Sequence, residues 1–264
     1  MPQQTKEMTA LGKLITRPIV PEPVKEESVY QKLLALEQHI RVSEAAPIHP
    51  CCNDFRQFLR LCWTKDEAAG GKVALMPDWP FLDDLAEDLI LVPKLFVEKS
   101  RRVLASWLVC CFDVWVAAGG QDPRWPTLMN ARGNRQVFVA ARQFEQANWF
   151  LFERIKFLIE ESVRRGLRQY WPDFPRWSWK EGLGVASNGS RISAVAQGAD
   201  QLRGHGATFH HWEEVSFWER AKETVEGSVP TIRGGGHICM ITTANANSYA
   251  EMLVTGRIRR TAYE

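Results

Sequence analysis

Two segments of the chain carry residue types that could handle a polyphosphate. Lys99-Ser100-Arg101-Arg102-Val103-Leu104-Ala105-Ser106-Trp107 follows a short apolar run, Leu95-Phe96-Val97, and opens a helical stretch over 106–118. Backbone N–H groups and the helix dipole face an anion at such a place. Against the pattern G-x-x-x-x-G-K-[ST], Ser106 holds the hydroxyl position, Ala105 stands for the lysine and Leu104 for the second glycine. Lys99 falls where the first glycine would be, so its ammonium can reach the same phosphate oxygens from the loop's other end. Lys99, Arg101 and Arg102 place three cations within four residues, which is tolerable beside a polyanion or in solvent. An exposed basic turn is the competing reading of this segment.

The second segment is Glu213-Glu214, directly after a strand-like run over 207–212. Two adjacent carboxylates at the end of an internal strand suit phosphoryl chemistry, one in a magnesium shell and the next polarising the attacking water. A helix N-terminus, where the dipole favours Glu, is the alternative. A third segment, Ile238-Cys239-Met240-Ile241-Thr242-Thr243-Ala244-Asn245, is an apolar strand ending in small hydroxyl residues. A polar residue there can sense a γ-phosphate, although an ordinary strand exit has the same composition. His210 and His211 lie mid-strand with no third ligand at metal spacing, and read as packed or sheet-facing histidines rather than zinc ligands.

These segments need a scaffold that brings strand ends together. Strand patterns at 95–97, 136–140, 207–212 and 237–242 alternate with helical ones at 106–118, 143–165 and 217–226. That alternation predicts an α/β fold, a mostly parallel sheet with helices on both faces. Asn188-Gly189, flanked by apolar runs, predicts a tight antiparallel hairpin in which both residues take positive φ. Before residue 90 the periodicity predicts helices over 28–42, 53–63 and 81–89, with a turn at Pro77-Asp78-Trp79-Pro80. The expected organisation is a mobile leader (1–27), a helical region (28–89) and an α/β core (90–264).

Bulk properties narrow the classes. The chain has 264 residues with 45% hydrophobic and 24% charged, which excludes wholesale disorder. A formal net charge of +2 makes no bulk case for nucleic acid, so any polyanion site must be local. The six cysteines form no C-x-x-C pair and sit among apolar neighbours, as buried thiols of a reducing compartment do. The N-terminus has no apolar signal core, and the longest apolar stretch, 103–118, carries Asp113 and is too short for a membrane span.

Over residues 53–254 the order and spacing of these motifs resembles the large terminase subunits of tailed bacteriophages and prophages, the motors that pump DNA into procapsids. Lys99 to Trp107 looks like the version of the family's loop that carries its lysine at the start. Gln201-Leu202-Arg203-Gly204 is similar to the L-R-G element, whose arginine acts in trans on a neighbouring subunit's ATP. Thr242-Thr243-Ala244-Asn245 looks like the S-T-P-type coupling motif. Phe217-Trp218-Glu219, Val229-Pro230-Thr231 and Gly234-Gly235-Gly236 resemble the run between the acidic and coupling motifs.

The resemblance implies a P-loop NTPase core of the RecA-like, additional-strand kind that hydrolyses ATP with Mg²⁺. Lys99, Ser100, Arg101, Arg102 and Ser106 would bind ATP, Ser106 and Glu213 would support Mg²⁺, and Glu214 would be the catalytic carboxylate. Arg203 would act in trans, and Thr242, Thr243 and Ala244 would couple hydrolysis to movement. The implied partners are double-stranded DNA, the portal protein of the procapsid, the small terminase subunit and further copies in a ring, in the cytoplasm of the bacterial host and without a membrane. Arg257, Arg259 and Arg260 are candidate DNA contacts. The departures are Leu104 for glycine, Glu213 for the usual aspartate, and no counterpart of the family's nuclease domain before Glu264. A helicase-like translocase shares the three elements but would need a second RecA-like domain. A non-hydrolysing scaffold that lost turnover through Leu104 and Ala105 is the other alternative.

Overall fold

The computed structural model describes residues 50–66, 70–100, 103–198, 202, 206–246, 248, 249 and 252. The expected leader and the helix expected over 28–42 lie outside them, as do Arg101, Arg102, Arg203, Arg257, Arg259 and Arg260. All described residues fall in the unit Ile48–Glu264.

Asp54 accepts a hydrogen bond from the Arg56 N–H at 2.9 Å and so caps a short helix, Phe55–Leu59. The helix expected to continue to Trp63 ends there. Trp63–Asp66 (β1) instead pairs antiparallel with Lys72–Leu75 (β2), a hairpin the helical spacing of Phe55, Phe58 and Leu59 did not announce. Pro80–Leu91 (α1) starts with proline in its first turn, where the missing N–H costs nothing, and buries Leu82, Leu85 and Leu89 as its periodicity predicts.

Lys94–Glu98 (β3) leads through the loop into Ala105–Ala118 (α2), in which every residue but Ser106 is buried. A helix apolar all round belongs in the interior. Gln136–Ala141 (β4) follows. The helix expected over 143–165 is present in three parts: Phe144–Trp149 (α3), a π-helical segment Phe150–Lys156, and Phe157–Arg164 (α4). Leu151 and Ile155 stay buried through the wider turn, so apolar spacing alone does not reveal it.

Trp177–Lys180 (β5), Leu183–Ala186 (β6) and Arg191–Ala196 (β7) form the antiparallel excursion. At its Asn188-Gly189 turn only Gly189 takes a positive φ, 84°. The Gly189 N–H donates to the Ala186 carbonyl and the Ala186 N–H to the Ser190 carbonyl, both at 2.9 Å. A three-residue loop with one left-handed residue therefore replaces the expected two-residue turn. Phe209–Glu213 (β8) precedes a 3₁₀ turn, Val215–Phe217, and Ala221–Ser228 (α5), four residues later than the helix start expected at 217; His237–Thr242 (β9) matches the expected strand.

The sheet runs β3-β9-β8-β4-β7-β6-β5. From β3 to β7 the neighbours are parallel, and β6 and β5 extend the far edge antiparallel. β9 thus stands between β3 and β8. Alternate side chains of β4 supply two cores: Val137, Val139 and Ala141 join α1 and α2 on one face, while Phe138 and Ala140 meet Trp212, Trp218 and Ala221 on the other. All six cysteines are buried. No helix among the described residues is long and apolar enough to cross a membrane.

Candidate active site

Parallel register decides which side chains meet. Glu98 lies opposite Thr242 across the β3–β9 ladder, and Glu213 opposite Ile241 across β8–β9. Each ladder continues one residue past its strand: Lys99 N–H donates to the Thr242 carbonyl at 2.9 Å, and Glu214 N–H to the Ile241 carbonyl at 2.7 Å. Lys99, Glu214 and Thr243 therefore converge at the carboxyl ends of adjacent strands, where open α/β sheets bind ligands.

Glu214 turns towards its neighbours through a left-handed backbone, φ 53° and ψ 44°. A non-glycine residue held there costs about 1–3 kcal/mol and persists where its surroundings over-determine it. Its Oε1 accepts from Lys99 Nζ at 3.0 Å, and its Oε2 accepts from both the Thr243 N–H and the Thr243 hydroxyl at 2.9 Å. Thr242 Oγ1 lies 3.4 Å from the same oxygen. Burial would raise the carboxyl's pKa, but the Thr243 and Lys99 bonds outweigh it and hold the group below the ordinary carboxylate range. Below the turn, the Ser216 N–H donates to Thr242 Oγ1 at 3.2 Å, and Asn245 Nδ2 donates to the Ser216 carbonyl at 2.8 Å, so the segment from Thr242 to Asn245 is stitched to the acidic turn.

Glu213 points elsewhere. It is 2% exposed and its Oε1 lies 3.1 Å from Nε2 of His211, whose Nδ1 lies 2.7 Å from Asp113 Oδ2 on α2. His211 is thus not a mere sheet-facing packer but is bound on both ring nitrogens by carboxylates. Burial would lower its pKa; Asp113 and Glu213 reverse that and hold it up at about 9. Burial likewise raises Asp113, to about 6, against the pull of His211. In the sequence, Asp113 stands out only as an interruption of an apolar run. An ionisable residue at the centre of an all-apolar helix was the available signal.

At the loop, Leu104 precedes α2 with φ 57° and ψ 5°, the left-handed conformation that glycine takes without cost, and its carbonyl accepts the first helical bond, from Leu108 N–H at 2.9 Å. Leucine therefore keeps the glycine geometry rather than abolishing it. Ser106 is half-buried in the first turn of α2, and Ala244 is exposed just beyond Thr243. Two cavities border the site. One of about 480 Å³ reaches from Lys99 and Ser100 to Phe81, Asp84 and Asp88 of α1. The other, about 650 Å³, is lined by Glu213, Glu214 and Thr243 together with Arg142, Trp149 and Phe217.

A β-strand, a loop opening a buried helix, an acidic strand and a further strand between them define a P-loop NTPase-like fold. In fold the chain is similar to the large terminase of bacteriophage HK97, with a TM-score of 0.52 at 13% identity over 78% of this chain. It spans about 40% of the length of that protein. A weaker likeness is to the ATPase domain of the Thermus phage P74-26 large terminase, with a TM-score of 0.42 at 16% identity over 60% of this chain and 61% of that one. No protein-family model and no curated protein matches the sequence.

Proposed function

We propose that the chain is the ATPase core of a DNA-packaging terminase large subunit, which hydrolyses ATP to drive double-stranded DNA into a procapsid. The convergence of Lys99, Glu214 and Thr243 at three strand ends carries this reading, because it puts a cation, a carboxylate and a strand-end hydroxyl where a terminal phosphate would be handled. The residues fit a magnesium nucleotide: a helix N-terminus behind a left-handed loop residue, a half-buried lysine, and two carboxylates on one strand end. Lys99, Ser100 and Ser106 would hold the phosphates with Arg101 and Arg102, and Ser106 and Glu213 would hold Mg²⁺. The ion when bound would screen phosphate charge and so favour attack at phosphorus.

The chain's own groups do the rest. Glu214 stays ionised and aligned by Thr243, ready to take a proton from the attacking water. Lys99 competes between Glu214 and a polyphosphate, so nucleotide binding would loosen the carboxylate for that role. Thr242, at the end of the strand that touches both, with Thr243 and Ala244 just beyond it, would pass the change onward. Arg203 of an adjacent copy in a ring would stabilise transition-state charge, an effect worth about 10³–10⁵ in rate. Double-stranded DNA would be gripped through its phosphates, with Arg257, Arg259 and Arg260 as candidates. The portal protein and the small terminase subunit complete the partner set, and residues 90–264 form the motor core.

The test is a nucleotide titration with and without Mg²⁺, followed by turnover on the same sample, with and without duplex DNA. Mg²⁺-dependent turnover that DNA stimulates supports the motor. Binding without turnover selects the non-hydrolysing scaffold, and absence of nucleotide binding removes the proposal.

A further inference from the structure

We propose that Asp113 and His211 are positioning residues: a buried relay from the loop helix that fixes the carboxylate of Glu213 and thereby sets the divalent-ion requirement of the reaction. The inference rests on the ATPase reading above, in which Glu213 supports Mg²⁺. Asp113 Oδ2, the two His211 ring nitrogens and Glu213 Oε1 form one line of contacts at 2.7 and 3.1 Å, with Asp113 and His211 wholly buried and Glu213 2% exposed. The line crosses from α2, whose N-terminus is the phosphate loop, to β8, whose end carries both acidic residues.

Stability alone does not explain these groups. Apolar residues of similar volume commonly serve a core as well as a buried ionic cluster does, and α2 is otherwise apolar on every buried position. What the cluster supplies is orientation. With both nitrogens engaged, the imidazole cannot turn without breaking two contacts, and it holds Glu213 by one oxygen. Oε2 is left as the oxygen not engaged by His211, on a residue that lines the cavity shared with Glu214 and Thr243. Glutamate has one more rotatable bond than aspartate, and tethering Oε1 removes the freedom that bond adds. Groups behind an ion's ligand commonly act in this way, and their loss costs about 10–100-fold in metal affinity. Cys110 lies in the same cluster, with its sulfur and the ligand atoms of Asp113 and His211 all within 4.8 Å. A soft-metal site would use those atoms, but the short contacts of His211 to two carboxylates favour the relay.

The experiment uses the full chain. ATP turnover is measured against Mg²⁺ concentration for wild type, Asp113→Asn and His211→Gln, alongside Mg²⁺-free nucleotide binding and thermal melts. The expected result is a Mg²⁺ requirement raised about tenfold or more, with Mg²⁺-free binding little changed. Variants that melt lower and turn over more slowly at an unchanged Mg²⁺ requirement would make the cluster structural and overturn the proposal. An independent readout needs no turnover: histidine-labelled wild type should give a downfield imidazole N–H resonance protected from exchange, lost in Asp113→Asn, and its absence from wild type overturns the relay. A stoichiometric zinc ion that disappears in Cys110→Ala also overturns it. If Glu213→Gln itself leaves turnover intact, the magnesium role of Glu213 is what fails, while the resonance still decides whether the relay exists.

Discussion

Lys99 Nζ and Glu214 Oε1 lie 3.0 Å apart although 115 residues separate them in the chain. The lysine's side chain is only 12% exposed and the glutamate's 38%. One ion pair thus joins the loop before α2 to the acidic turn across the end of β9, and each partner has a separate task in the reaction proposed.

Glu214→Gln should separate those tasks. Turnover is expected to fall by about 10²-fold or more, the scale of a lost general base. Nucleotide binding should be retained or become tighter, because Lys99 no longer faces a competing carboxylate. Fluorescent-nucleotide titration beside a phosphate-release assay measures both, and unchanged turnover would remove Glu214 from the chemistry.

Lys99→Ala should act on binding. A hydrogen bond to a charged group is worth about 1.5–3 kcal/mol, so ATP affinity should drop by about tenfold or more. Undiminished affinity would make the lysine a structural partner of Glu214 only.

Leu104 offers a test of backbone strain. Asparagine tolerates the left-handed region, whereas a β-branched side chain there is a true outlier. Leu104→Asn should therefore melt above Leu104→Val even though valine better preserves the apolar contact, the gap being about 1–2 kcal/mol. Equal melting temperatures would mean the loop relaxes to another conformation.

Acid should destabilise the fold through two buried histidines. His237 stacks on Trp125 with centroids 3.8 Å apart, and His210 stacks on Phe138 while its Nε2 meets Thr231 Oγ1 at 2.8 Å. Burial lowers their pKa values to about 4 and about 3. Both lie below the unfolded value near 6.5, so the unfolded chain binds more protons in between. Their contribution is complete above about pH 6.5 and is lost as pH falls towards those values, each histidine adding a slope of up to about 1.4 kcal/mol per pH unit. His211, held up at about 9, has the opposite sign: its contribution is complete below about 6.5 and lost as pH rises through 9. Chemical denaturation across this range should show stability falling on both sides of neutrality, and His237→Gln should flatten the acid limb.

The apolar run Val137 to Ala141 was legible from sequence because β4, a central parallel strand, is buried on both faces. β9 was found to the residue for the same reason. The short separate hairpin β1–β2 and the strand Trp177–Lys180 were not, since four residues give too few periods to separate strand from helix. In the site, the lysine and the two carboxylates could be picked out by type and by position at strand ends. Which of them would touch was set by the register of β9, a property of pairing rather than of local sequence. The left-handed backbones of Leu104 and Glu214 were hidden because neither residue type advertises positive φ. Asp113 was visible as an anomaly but acquired meaning only when β8 laid His211 beside it.

β9 hangs the loop and the acidic turn on two consecutive peptide units, since Lys99 is bonded to the carbonyl of Thr242 and Glu214 to that of Ile241. Beyond them Thr243 grips the Glu214 carboxylate. Both charged groups therefore take their positions from the register of this single strand. β9 works as a yoke: the pairing of one strand sets the spacing of the two charged groups.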